Sequence, residues 1–294
     1  MLKLNDVGVS QNALTHLAKR QAEVDVHLTF SERSRRANEL WNSKSKTEGN
    51  GAFVEVRQQL SKMCVGEQTC NYCERNDGTD IEHIAPKSFF PERAFDWNNY
   101  LLACSGCNSR FKSDLMFVFI PSGSEQSFKL EKGSEPTSHD LAFINPREED
   151  PMDFLLLDLE TLQFEAHANH PIASRGFTKV VNTVEILGLN DRALAHHRNN
   201  ATRYYKGLLV EYVAAKKCEN FEELIGAIHG RPKLDLSKSF LEEKNRILNG
   251  ITKAMFGGDH PTVWREMIRQ HHLLPDEIKA LFAQAPELTT KVLQ

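Results

Sequence analysis

The chain has 294 residues, is 40% hydrophobic and carries a formal charge of −4, enough apolar content to bury a core and form more than one sub-domain. No run of about 18 apolar residues occurs, which excludes a conventional transmembrane helix. The start, Met1-Leu2-Lys3-Leu4-Asn5-Asp6, lacks the apolar centre of a signal peptide, so the expectation is a soluble, cytoplasmic protein without membrane contact.

The first elements read as helices. Ala13, Leu14, Leu17 and Ala18 recur at helical spacing, and Thr29 followed by Glu32 is a capping box opening a helix that runs to Leu40 and Trp41. Ser43 to Gly51 reads as a loop. Phe53, Val56, Leu60 and Met63 then mark a third helix. Residues 1–62 hold ten Lys/Arg against seven Asp/Glu, with Arg33, Arg35, Arg36, Lys44 and Lys46 grouped. Such a group can steer phosphates or be an ordinary solvated helix face, and the mild net acidity weighs against a free-standing nucleic-acid binder.

Residues 70–115 change character, with short apolar pieces, Pro86, Pro91 and several asparagines between two cysteine pairs. Pro121 to Asp140 reads as an exposed excursion or hairpin, Asn145 to Met152 as turns, and Phe154 to Phe164 as a strand or strand pair. Val180, Val181, Val184 and Leu187 share a helical face that Gly188 closes, and Asn190 is placed to cap the next helix, carrying Leu194, Ala201, Tyr204, Leu208 and Tyr212. Further helices are expected near 221–229, 236–249, 260–271 and 275–284. The fold class is mainly α with a small α+β core. Its regions are an N-terminal helical part (1–66), the cysteine-bearing module (67–120), a loop and strand insertion (121–172) and a C-terminal helical part (173–294).

Four of the six cysteines form two C-x-x-C pairs, Cys70/Cys73 and Cys104/Cys107, separated by 30 residues. In a reducing compartment this pattern means metal rather than disulfides. Two knuckles complete a tetrahedral zinc site whose four thiolates leave no position for water, so the zinc is structural. Cys64 and Cys218 read as isolated buried thiols.

Between the knuckles stand Asp80-Ile81-Glu82-His83-Ile84-Ala85-Pro86-Lys87 and Asp96-Trp97-Asn98-Asn99-Tyr100-Leu101-Leu102-Ala103-Cys104, and after them Cys107-Asn108-Ser109-Arg110-Phe111-Lys112. A neutral histidine near pH 7 is a suitable base for activating water, and Glu82 and Asn108 offer oxygens to a hard divalent cation. Strand alternation sends Glu82 and His83 to opposite faces. The segment resembles the HNH (ββα-metal) nucleases, in the branch carrying zinc between two C-x-x-C pairs.

The resemblance implies His83 as general base, Glu82 and Asn108 as ligands of a catalytic Mg²⁺ or Mn²⁺, and Asn99 (or Asn98, in a register slipped by one) as the residue orienting the histidine loop. Lys112 and, more weakly, Arg110 would contact substrate phosphate. Trp97 reads as core rather than as a base-stacking platform. Over a longer span, Glu82-His83-Ile84 through Phe90-Pro91 and Phe95 to Asn99, with Ile144-Asn145-Pro146, Asp150-Pro151 and Leu187-Gly188-Leu189-Asn190, resemble the PtuB-like HNH subunit of Septu and retron-associated anti-phage systems. That likeness implies a DNA substrate and an SMC/ABC-type ATPase partner in a hetero-oligomer. No G-x-x-x-x-G-K-[ST] motif occurs here. An RNase acting on tRNA and a non-catalytic zinc-ribbon scaffold are the competing expectations. His196 and His197, adjacent on one helix, cannot share a face and are set aside as a metal pair.

Overall fold

The computed structural model describes residues 1–44, 50–66, 68–121, 123–228 and 234–290. The described chain is mostly helical with three two-stranded antiparallel sheets, and none of its helices is long and apolar enough to cross a membrane. It divides into two compact units, 1–158 with 163–191 and 159–162 with 192–294. The chain thus divides after Asp191, and the helix beginning at Arg175 belongs with the first unit.

In the first unit, α1 (Gln11–Asp25), α2 (Phe30–Asn42) and α3 (Asn50–Met63) precede the cysteine module. Thr29 and Glu32 form the reciprocal cap expected of them, satisfying amide groups that the first turn leaves without partners. Ala13 and Leu17 of α1, Leu40 and Trp41 of α2, and Phe53, Val56 and Leu60 of α3 are buried. Trp41 meets Phe53 edge-on at 5.6 Å between ring centroids. Of the Ser43–Gly51 loop, residues 45–49 lie outside the described ones, and α3 begins at Asn50.

β1 (Asp80–His83) pairs antiparallel with β2 (Tyr100–Ala103), with Glu82 opposite Leu101 and His83 opposite Tyr100. A π-helix, Gly106–Lys112, follows, and its wide winding is visible where the Ser113 amide reaches the Asn108 carbonyl, five residues back, at 2.8 Å. The segment expected as an excursion or hairpin, Pro121 to Asp140, supplies β4 (Ser127–Lys129), which pairs back on β3 (Phe117–Phe119) just before Pro121. After the short α4 (Pro151–Phe154), β5 (Leu155–Leu157) pairs with β6 (Phe164–Ala166).

α5 (Arg175–Leu187) ends on Gly188, whose positive φ of 57° suits a residue without a Cβ. A Cβ there would also strike the Phe111 ring at 2.5 Å, so this close approach fits α5 against the π-helix. Asn182 Nδ2 donates to the Ala142 carbonyl at 3.0 Å and the Ile144 amide donates to Thr183 Oγ1 at 2.9 Å, fixing α5 to the preceding segment. These polar anchors replace part of the apolar stripe expected there, and Val181 is exposed.

Asn190 does not cap the following helix. Its side-chain amide brackets Phe164 instead, accepting from the Phe164 amide at 2.7 Å and donating to the Phe164 carbonyl at 2.9 Å, which satisfies backbone groups of β6. Arg147 braces the β1–β2 module. Its guanidinium donates to the Trp97 and Tyr100 carbonyls at 3.0 and 2.9 Å, pairs with Asp6 at 3.1 Å and lies over the Trp97 ring at 4.7 Å. Trp97 is buried, as a core residue would be.

The second unit is built on α6 (Arg192–Lys217), with α7 (Phe221–Ala227), α8 (Phe240–Gly257), α9 (Pro261–Arg269), α10 (Asp276–Gln284) and α11 (Glu287–Thr290) around it. Its centre is Trp264, stacked on Phe282 at 5.8 Å and tilted against Tyr205 at 5.7 Å. Leu194, Ala201, Leu208 and Tyr212 are buried as expected, but at the middle of the stripe Tyr205 is fully buried while its neighbour Tyr204 is exposed. Tyr205 gains a hydrogen bond to the Asp259 carbonyl at 2.8 Å, the partner a buried phenol needs.

Candidate active site

The knuckles form first in chain order. Turns bring the Glu74 amide to the Cys70 carbonyl at 2.9 Å and the Cys70 amide to the Arg75 carbonyl at 2.8 Å. The Asn71 amide donates to Leu102 of β2 at 2.9 Å, which ties the first knuckle to the strand leading into the second. There the Cys107 amide points at Cys104 Sγ at 3.3 Å. Gly78 is required at the base of the first knuckle, because a Cβ would sit 2.8 Å from the Thr69 carbonyl oxygen and 2.9 Å from the Cys70 nitrogen.

All four cysteines are buried and their sulfurs lie within 4.8 Å of one another, Cys73 to Cys104 at 3.7 Å. A tetrahedron with Zn–S of about 2.3 Å has sulfurs roughly 3.8 Å apart, so the donor set fits a closed four-thiolate zinc. Among the described residues no other group of three His, Cys, Asp or Glu side chains converges in this way. Cys64 and Cys218 stand outside the group. Burial pushes the Cys64 thiol up to about 11, a poor nucleophile at neutral pH.

β1 presents two faces. Asp80 and Glu82, two residues apart on the strand, address the π-helix. Asp80 Oδ2 accepts from Asn108 Nδ2 at 3.0 Å, and Glu82 Oε1 lies 2.5 Å from Lys112 Nζ. The match has a geometric cause. Asp80 and Glu82, at i and i+2, share one face of the strand, and Asn108 and Lys112, four residues apart, lie about one turn apart on the π-helix, so the two pairs can meet.

Lys112, expected to meet a phosphate, is fully buried and also donates to the His83 carbonyl at 2.8 Å. Its ammonium is therefore engaged inside the protein. Arg110 is exposed, with its guanidinium 5.3 Å from the Phe111 ring centroid. Asp80 was not singled out from the sequence, although strand alternation places it beside Glu82.

His83, on the opposite face, is 5% exposed. Its Nε2–H donates to the Ala94 carbonyl at 2.9 Å, and that oxygen also accepts from Tyr100 Oη at 2.7 Å. Because a carbonyl can only accept, the proton resides on Nε2 and the lone pair on Nδ1. The ring lies against Trp41 of α2 at 4.2 Å and Tyr100 at 5.2 Å. Burial holds the imidazole well below its ordinary pKa, and the positive charges of Lys87, Lys112 and Lys44 act in the same direction. It is thus neutral at pH 7. Burial pushes the Glu82 carboxyl up, against the pull of Lys112.

The loop between β1 and β2 is clamped by Asn99, which is completely buried. Its Oδ1 accepts from the Ala85 amide at 2.7 Å, and its Nδ2 donates to the Ala85 and Arg93 carbonyls, both at 2.9 Å. The Ala94 carbonyl that fixes His83 is next in chain to Arg93. Asn98 is exposed and turns its amide to Asp96 Oδ1 at 2.9 Å.

Residues 70–113 match the family model of the HNH endonuclease. The HNH segment holds the four cysteines, Asp80, Glu82, His83, Asn99, Asn108 and Lys112, and Trp41 comes to it from outside. No curated protein matches the chain.

Proposed function

We propose that this protein is a metal-dependent HNH endonuclease that hydrolyses phosphodiester bonds in DNA, its fold held by a structural zinc on Cys70, Cys73, Cys104 and Cys107. The observation that carries the reading is His83, neutral and held in one tautomer by the Ala94 carbonyl, on the strand whose other face carries Asp80 and the buried Glu82, within the HNH match.

Glu82 and Asn108, with Asp80 alongside, offer hard oxygen donors suited to Mg²⁺ or Mn²⁺, ions that keep waters and substrate phosphate in their remaining positions. When bound, such an ion supplies positive charge to the phosphate and the departing 3′ oxygen. His83 Nδ1 takes a proton from the attacking water, whose oxygen forms the new bond to phosphorus as the bond to the 3′ oxygen breaks. The Ala94 carbonyl stabilises the imidazolium through Nε2–H. Asn99 keeps that carbonyl's loop in place, and Lys112 orients Glu82.

Removing the base from such a reaction typically costs roughly 10²–10⁴ in rate. His83→Ala is therefore expected to lose cleavage of plasmid DNA to that extent while keeping its zinc and its circular dichroism; full cleavage by this variant would refute the assignment. Offering plasmid, single-stranded DNA and tRNA, each with a chelator control, separates the DNA reading from an RNase. A chain inert on all three would be a zinc-ribbon scaffold.

The longer motif order supports a finer reading, an effector nuclease of a Septu-like anti-phage complex with an SMC/ABC-type ATPase. It predicts that the chain co-purifies with an ATPase encoded beside it, and a neighbouring gene of unrelated type would count against it.

A further inference from the structure

The basic group at residues 33–46 does not act as one patch. Arg33 pairs with Glu135 at 3.2 Å, Arg35 with Glu39 at 3.2 Å and Arg36 with Glu23 at 2.6 Å, so these three charges are largely neutralised where they stand. Lys46 lies outside the described residues. Lys44 differs. Its Nζ lies 4.4 Å from the Trp41 ring centroid and 3.4 Å from the Trp41 carbonyl, and it has no carboxylate partner among the described residues. Trp41 in turn lies against His83 at 4.2 Å. The C-terminal end of α2 thus carries a cation to within one ring of the candidate base.

Two further cations act electrostatically on the same groups. Lys87, four residues after His83, is half-buried and makes no ion pair among the described residues. Its charge is felt at Glu82 and at His83. Arg57 of α3 is exposed, likewise without an ion pair among the described residues, and acts on Lys44. Lys44 and Lys87 repel each other, and burial already disfavours both ammonium groups. Asp80 acts on Lys44, and Asp114 and Glu82 act on Lys87, in the opposite sense, but burial outweighs them at both ammonium groups, and a phosphate would supply further counter-charge.

We propose that Lys44, Lys87 and Arg57 form a phosphate-binding face, in which residues of the N-terminal helical region join Lys87 of the HNH segment to hold the backbone of a nucleic-acid strand beside His83. The inference rests on the nuclease reading for the identity of its ligand. Lys112, engaged with Glu82, is not part of this face.

The test is binding rather than cleavage. The full chain is titrated onto a fluorescein-labelled DNA duplex, without added divalent ions, between roughly 50 and 200 mM salt. Each phosphate contact contributes about 0.9 to the slope of log affinity against log salt. Lys44→Ala and Lys87→Ala should each lower the slope by about that amount and weaken low-salt binding roughly fivefold. Lys44→Arg should retain the slope, and Arg35→Ala, whose charge is already paired, should match the wild type. Thermal melting confirms that each variant is folded, and Lys44→Gln replaces Lys44→Ala if the latter is not.

Slopes for the Lys44 and Lys87 variants equal to that of Arg35→Ala would overturn the proposal, as would a wild type that does not bind the duplex. A wild type that cuts DNA while these slopes stay unchanged would leave the nuclease reading intact and remove only the phosphate face. One that binds with the expected slopes but cuts nothing would do the reverse.

Discussion

Stripping the metal from the four-cysteine centre is expected to open residues 70–112 as a unit. Besides the metal, the first knuckle is anchored by three backbone bonds involving Cys70, Asn71 and Glu74, by the Met1 amino group on Glu74 Oε1 at 2.6 Å, by Asn71 Nδ2 on Cys64 Sγ at 3.6 Å and by the Tyr72 ring against Phe143 at 5.9 Å. Without a metal, four thiols within 4.8 Å of one another lose their common partner, and thiolates there would repel. Structural zinc in small domains contributes an apparent 10–16 kcal/mol or so at neutral pH, comparable to the total stability of an ordinary domain. Hydrogen exchange should therefore show peptides over 70–78 and 100–112 losing protection in chelator, and regaining it with one equivalent of zinc. Peptides from α8 and α9, in the other compact unit, supply the internal control. Cys73→Ser should give a partial version of the same result. A metal-free, reduced chain that keeps full protection in these peptides would sink the zinc assignment.

Features resting on short-range chemistry were legible in the sequence. The Thr29–Glu32 box, the Gly188 stop and the two knuckles each depend on a few residues at fixed spacing, and each is found. Asn99 is similar in kind, since an asparagine that satisfies three backbone groups of one loop is a local device. Other features were hidden because tertiary packing decides them. Helical spacing places Lys112 one turn beyond Asn108 but does not say that β1 will present Asp80 and Glu82 to that face. Periodicity finds a stripe on α6 but not whether Tyr204 or Tyr205 leads it, because a neighbouring helix and the Asp259 carbonyl choose. The separate fates of Arg33, Arg35, Arg36 and Lys44 likewise depend on partners such as Glu23 and Glu135, distant in sequence.

Lys112→Met is expected to destabilise the first unit by about 3–5 kcal/mol, the usual cost of removing one member of a buried ion pair. The substitution keeps most of the buried chain but leaves the Glu82 carboxylate, 4% exposed, without its cation, and the His83 carbonyl without a donor. Glu82 can escape by taking a proton, and this fixes the sign of the pH dependence. Burial already raises its folded-state pKa above the ordinary value, and loss of Lys112, which opposes that shift, raises it further. A carboxyl whose folded pKa lies above its unfolded pKa binds the proton more tightly in the folded state, so stability falls as pH rises from the unfolded value, near about 4.3, through the folded one. The deficit relative to wild type should therefore widen between weakly acidic and neutral pH, measured by urea unfolding with zinc present. Adding Glu82→Gln to Lys112→Met removes the stranded charge and should recover most of the loss, a non-additivity expected of groups in direct contact. If the double variant is instead as unstable as the sum of the two single ones, the ion pair is not what Lys112 contributes, and its hydrogen bond to His83 must carry the effect. If Lys112→Met is as stable as wild type at neutral pH, the buried pair between β1 and the π-helix is not formed in solution.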